Sequence, residues 1–172
     1  MRIILFLLPL FLSNLHASLE MIESFEAEFT QSITDEKNKT LVYKGYVSAS
    51  KPQHAKWHYS EPVAKDIYVN KNKVVIIEPE IEQVIIKRLQ SDLDFFQIMH
   101  HAKQTAPGKY NAVFKNTLYT IEISQEKLTS ISYKDEFEND IKISFSKQKQ
   151  NIQIDPALFE PRIPLDFDVI SE

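Results

Sequence analysis

The sequence predicts a mainly β fold with short helices, a long antiparallel sheet with one helix laid across it. Three observations predict it. Apolar and polar residues alternate with a period of two along much of the chain, as where Ile141, Ile143 and Phe145 oppose Lys142, Ser144 and Ser146. The alternating runs are joined mostly by short polar turns. Only the stretch 91–104 changes to helical spacing. The 172 residues, 43% hydrophobic and 26% charged, fit one globular domain.

The N-terminus is set apart from that pattern. Met1-Arg2 is a short basic start, Ile3 to Leu12 is an apolar run broken only by Pro9, and Leu15-His16-Ala17 offers a small residue for cleavage. Residues 1–17 read as a secretory signal peptide cleaved after Ala17, too short to span a membrane comfortably, leaving a single domain over 18–172. The apolar run has no polar face, which argues against a buried amphipathic helix. Cleavage removes Arg2, one of 20 basic side chains, and leaves 19 against 24 acidic ones. Such a balance has no overall pull on nucleic acid or anionic lipid. There is no cysteine, so an exported chain of this size is held by its own core. It also lacks the residue on which bacterial lipoproteins carry their lipid. The processed chain is expected to be a free, soluble periplasmic or secreted protein.

Residues 18–23 have room for a short helix at most. In SFEAEFTQSI, 24–33, a helix would scatter the apolar residues around its circumference. A strand puts Phe25, Ala27, Phe29 and Ile33 on one face with Glu26, Glu28, Thr30 and Ser32 on the other. Further strands are predicted over 41–50, 56–60, 66–69, 73–77, 83–87, 117–124 and 140–147. Val74 to Ile77 and Val84 to Ile86 are apolar on both faces, so their second face should be covered. With only two glycines, Gly45 and Gly108, the turn conformations are expected from Asn38, Asn70, Asn72 and Asn139. The helix over 91–104 takes Ser91 or Asp92 as N-cap, with Leu93, Phe96, Met99 and Ala102 at helical spacing.

Nothing in the sequence carries catalysis or a metal. His54 and His58 on a strand are roughly 13 Å apart, and His100 and His101 point about 100° apart on a helix with no third ligand. Glu78, Glu80 and Glu82 form a solvated carboxylate run. There is no nucleophile elbow or phosphate loop. No enzyme activity and no cofactor are expected. Asn38-Lys39-Thr40, preceded by Glu36, is a glycosylation sequon that reads most simply as a polar turn.

In order along the chain, SFEAEFTQSITD, then Gly45-Tyr46-Val47, Lys51-Pro52, Trp57-x-Tyr59-x-x-Pro62, Ile76-Ile77-Glu78-Pro79-x-Ile81-Glu82-Gln83-Val84, Phe159-x-Pro161-x-Ile163-Pro164 and Asp168-Val169-Ile170 resemble the outer-membrane lipoprotein carrier proteins, the LolA family. The resemblance covers nearly the whole processed chain. It implies an unclosed antiparallel β-barrel with an apolar concave face and a helical lid. It implies a monomeric periplasmic shuttle for acylated lipoproteins, loaded by an ATP-driven (ABC-type) inner-membrane release transporter and unloading at the outer membrane, to an acceptor where one exists. Phe25, Phe29, Ile33, Trp57 and Tyr59 would line the acyl-chain cavity. Leu93, Phe96 and Met99 would belong to the lid helix. Lys51 stands where the family usually has an arginine that bonds backbone carbonyls of the lid, and would latch the lid less firmly because an ammonium lacks the guanidinium fork.

Three positions depart from the family's pattern. Ala55 replaces a bulky apolar residue, the N-terminal helix is short, and Asn70-Lys71-Asn72-Lys73 replaces a common Asp-Gly turn. The alternative reading is a generic periplasmic lipid-binding protein or a lipid-sensing regulator sharing the fold.

Overall fold

The computed structural model describes residues 19–88 and 95–171. The signal peptide read over 1–17, the N-cap at Ser91 or Asp92, and Leu93 lie outside the described residues. Along the chain run β1 (Ser24–Thr34), β2 (Thr40–Ser50), β3 (His54–Glu61), β4 (Lys65–Asn70), β5 (Lys73–Glu78), β6 (Gln83–Arg88), α1 (Phe95–His100), β7 (Lys103–Ala106), β8 (Lys109–Phe114), β9 (Thr117–Ser124), β10 (Lys127–Lys134), β11 (Asp140–Gln150) and β12 (Asp168–Ser171).

The strands form one twelve-stranded sheet in the order β12-β6-β5-β4-β3-β2-β1-β11-β10-β9-β8-β7. Every neighbouring pair is antiparallel except β12 with β6, which is parallel. Because β12 and β7 stand at the edges, the barrel is not closed.

The period-two reading of 24–34 holds, and it sets the core. Phe25, Ala27 and Phe29 are fully or almost fully buried and join a cluster with Val47, Ile121, Leu128, Ile141 and Phe145. Gly45 sits opposite Phe29 on β2. A Cβ there would collide with the His58 carbonyl oxygen and lie 2.9 Å from the Phe29 ring, so only glycine lets β2, β3 and that ring meet. The second apolar face of β5 and β6 is covered as expected. Val75, Ile77 and Val84 form a separate cluster with Tyr68, and Ile163 and Phe167 of the C-terminal segment pack against it.

Several expectations are corrected. The helix is α1, ending at His100, where the His101 and Ala102 amides donate to the Gln97 and Met99 carbonyls at 3.0 and 3.2 Å. Residues 103–106 are drawn instead into the β7–β8 hairpin, which turns at Pro107-Gly108 with Gly108 at φ 70°. Strand β10 escaped the period-two search because Thr129 is a bulge: Leu128 pairs with Ile123 and Ser130 with Glu122, so the inward residues fall at 128, 131 and 133. Strands β7, β8 and β12 are short or carry weak alternation. A single 3-10 turn, Leu19–Met21, precedes β1.

Of the four asparagines expected to supply turns, only Asn38 has positive φ; Lys71 and Glu138 take that conformation elsewhere. In the twin loops 35–39 and 135–139 the turn is held by an aspartate. Asp35 Oδ1 accepts from the Lys37 and Lys39 amides, and Asp135 Oδ1 from those of Phe137 and Asn139. With four N–H bonds held by the carboxylates, the residue in the left-handed position can be Asn or Glu.

Candidate functional site: a lidded apolar cavity

Where the sheet curls, inward side chains from distant strands enclose a cavity of about 370 Å³. One wall is Ala55, Trp57 and Tyr59 of β3, continued by Ile67, Val69, Val74 and Ile76 of β4 and β5. The facing wall is Tyr119 of β9, Ile131 and Tyr133 of β10 and Ile143 of β11. Phe95, Phe96 and Ile98 of α1 roof it. Gln53, His54, Lys71 and Lys87 also line it, and among the described lining residues there is no carboxylate.

The sequence-predicted residues divide into wall and foundation. Trp57 and Tyr59 line the cavity. Phe29 lies beneath them, its ring 5.1 Å from Trp57 and 5.0 Å from Tyr59, both edge-on. Phe25 is covered by Phe95 at 5.4 Å and Phe145 at 5.2 Å. Ile33 is half-buried against the same core. These three share the concave face but are not among the lining residues; over Phe25 and Phe29, aromatic rings already fill the space. In α1, Phe96 reaches the cavity while Met99 is spent in the core.

Polar contacts hold the N-terminal turn beside α1. Lys51, in the turn between β2 and β3, donates from Nζ to the Glu20 carbonyl oxygen at 2.8 Å and pairs with Glu23 Oε1 at 2.8 Å. The turn Leu19–Met21 packs against α1, with His100 Nδ1 3.8 Å from Glu20 Oε1. Leu19 and Ile22 anchor it in the core. Lys51 therefore holds the N-terminal turn, and through it bears on α1.

At the other end of the cavity phenols gather. Tyr59 Oη donates to Gln31 Oε1 at 2.9 Å. Tyr119 and Tyr133 stack at 4.9 Å, and Tyr43 meets Tyr59 at 5.9 Å. Burial pushes the Tyr133 phenol up to about 12, helped by the neighbouring Tyr119. Burial also raises Tyr59, with Tyr133 and Tyr43 adding to it, and raises Tyr119. Across physiological pH this end is neutral and rich in hydrogen-bonding groups. Sequence reasoning missed Gln31, Tyr119 and Tyr133. The signal for Gln31 was present: it is the one polar residue in step with Phe25, Ala27, Phe29 and Ile33.

Residues 20–99 match the family model described as outer membrane lipoprotein carrier protein LolA. An outer-membrane lipoprotein carrier protein of Campylobacter jejuni is 40% identical over 161 residues, covering 94% of each chain. One of Helicobacter pylori is 34% identical over 151 residues, covering 88% of this chain and 81% of that one. Among solved structures, an uncharacterised conserved protein of Thermus thermophilus superposes with TM-score 0.56 at 12% identity, covering 91% of this chain and 94% of that one. A LolA superfamily protein of Nitrosomonas europaea does so with TM-score 0.52 at 9% identity, covering 84% and 94%. These two likenesses are of fold. By its family match and its sequence relatives together, the chain belongs to the outer-membrane lipoprotein carrier family.

Proposed function

We propose that the chain is a monomeric periplasmic carrier that takes acylated lipoproteins from an ATP-driven inner-membrane release transporter and delivers them to the outer membrane, to an acceptor where one exists. The observation that carries this reading is the lidded cavity, whose middle is apolar and whose described lining has no carboxylate. Free diffusion of such cargo is prohibitive: exposing acyl chains to water costs about 0.8 kcal/mol per methylene, on the order of tens of kcal/mol for two or three chains. A carrier must bury the chains and still release them. A cavity of about 370 Å³ is near the small end for ligand sites, so multi-chain cargo requires α1 to move off its seat. Lys51 acts as the latch that sets how readily the N-terminal turn and α1 part from the barrel.

The test is reconstitution. Membranes carrying a labelled lipoprotein and its release transporter are incubated with the mature protein, and the soluble fraction is sized. The reading predicts a soluble carrier–lipoprotein complex, lost when Trp57→Glu places a charge in the wall. Folded wild-type protein that leaves all lipoprotein in the membrane, while retaining fatty acid or phospholipid, would instead make this a generic lipid binder.

A further inference from the structure

The polar groups of the cavity fall at its two ends. Gln53, His54, Lys71 and Lys87 lie by the β2–β3 and β4–β5 turns and the end of β6, while Gln31, Tyr59, Tyr119 and Tyr133 lie at the strand ends that lead to loops 35–39, 62–64, 115–116 and 135–139. The stretch between them and the roof, around Trp57, Val69 and Phe96, is apolar. Tyr59 occupies Gln31 Oε1, which leaves both Gln31 Nε2 hydrogens without a partner among the described residues. Tyr133 Oη also has no hydrogen-bond partner among them. Gln31 pairs in register with Ile143, which pairs with Ile131 two residues before Tyr133, so the two groups flank one short apolar strip. Lys65 is engaged over the Tyr59 and Tyr43 rings, at 4.6 and 5.4 Å, and is not a lining residue.

Neutral donors at the end of an apolar channel suit a neutral acceptor. A charged head would find no counter-charge among the lining groups of this end, where the nearby Lys65 is turned onto the Tyr59 and Tyr43 rings, and a bare hydrocarbon would leave the donors unmatched. We infer that Gln31 Nε2 and Tyr133 Oη bind the acyl ester carbonyls of the cargo's lipid anchor. The inference rests on the carrier reading and adds a direction to it. The chains run from this end toward Trp57 and Phe96, and the cargo polypeptide leaves between loops 35–39 and 135–139.

A diacylated cysteinyl lipopeptide with two ester-linked chains is compared with its ether-linked twin of equal chain length, each displacing a fluorescent fatty-acyl probe. The inference expects the wild type to prefer the diester by about five- to tenfold, since a site built for a carbonyl loses matched hydrogen bonds to the ether. Tyr133→Phe, which removes only the hydroxyl, and Gln31→Leu should each shrink that preference toward one, with the ether affinity changed little. Equal binding of both lipopeptides by the wild type would overturn the carbonyl site and leave the carrier reading standing. Binding of neither would overturn the carrier reading with it. A diester phospholipid that displaces the probe where the lipopeptide does not would reassign the site to phospholipid and overturn the inference as stated.

Discussion

Strands β4 to β6 bury apolar side chains on both faces, and the two faces do different things. On the convex side Val75 and Val84, 2% and 0% exposed, pack with Tyr68 and Ile77 under Ile163 and Phe167. On the concave side Ile67, Val69 and Ile76 are half-buried around unfilled space. Composition is nearly the same, so it does not distinguish core from site. The cover does. The convex face is sealed by a segment of the chain fixed in place by β12 pairing with β6. The concave face is roofed by a six-residue helix backed by a single 3-10 turn, tied by a few polar contacts.

The largest break in this comparison comes from beneath the lid. Phe25→Ala removes the ring that carries both Phe95 and Phe145, and should cost about 3–5 kcal/mol in urea unfolding. A loss below about 1 kcal/mol would show that the floor under α1 is loosely packed.

Adjacent residues then separate the two faces. Val75→Ala opens a sealed void and should cost about 2 kcal/mol while acyl-probe affinity is unchanged. Ile76→Ala borders an existing cavity, so little beyond the transfer of three partly buried carbons is felt, about 1–2 kcal/mol, while probe affinity falls several-fold. Equal effects of the two on affinity would erase the distinction between core and site.

Alkali should act on the phenolic end. Tyr133 holds its proton to about 12 in the folded protein, against about 10 unfolded. The unfolded chain releases its proton first, so this contribution to stability is complete below about pH 10 and lost as pH rises through 12. Tyr133→Phe should therefore lose less stability than the wild type over that interval, followed by chemical denaturation at successive pH values. An identical alkaline decline would place the cause elsewhere.

The smallest expected effect on stability is that of Lys51→Leu. An ion pair whose partners are 34% and 67% exposed contributes less than about 1 kcal/mol. The effect should appear in kinetics, as several-fold faster exchange of bound probe. If cargo loading and release both kept their wild-type rates, Lys51 would be no latch.

Much of the fold was legible because period-two alternation is a direct imprint of a sheet with one face in the core. Phe25 to Ile33 and Ile141 to Phe145 could be read that way. What hid β10 was local: the Thr129 bulge lengthens the step from Leu128 to Ile131 from two residues to three, while Ile131 to Tyr133 keeps a step of two. The end of the helix was hidden because pairing with β8, a tertiary interaction, overrides the helical spacing of Ala102. For the site, strand parity identified the concave face but not depth. Phe25 and Trp57 belong to the same face, and only the stacking of rings decides that one is foundation and the other wall. Gln31 and the tyrosines were invisible as a group because β1, β3, β9 and β10 come together only when the sheet curls.

The most direct measurement is native mass spectrometry of the protein gently purified from cells that make it naturally. The account predicts a bound mass equal to an acylated lipoprotein, absent from the Trp57→Glu variant. A folded wild-type protein that is consistently empty, or that holds only fatty acid or phospholipid, would contradict it.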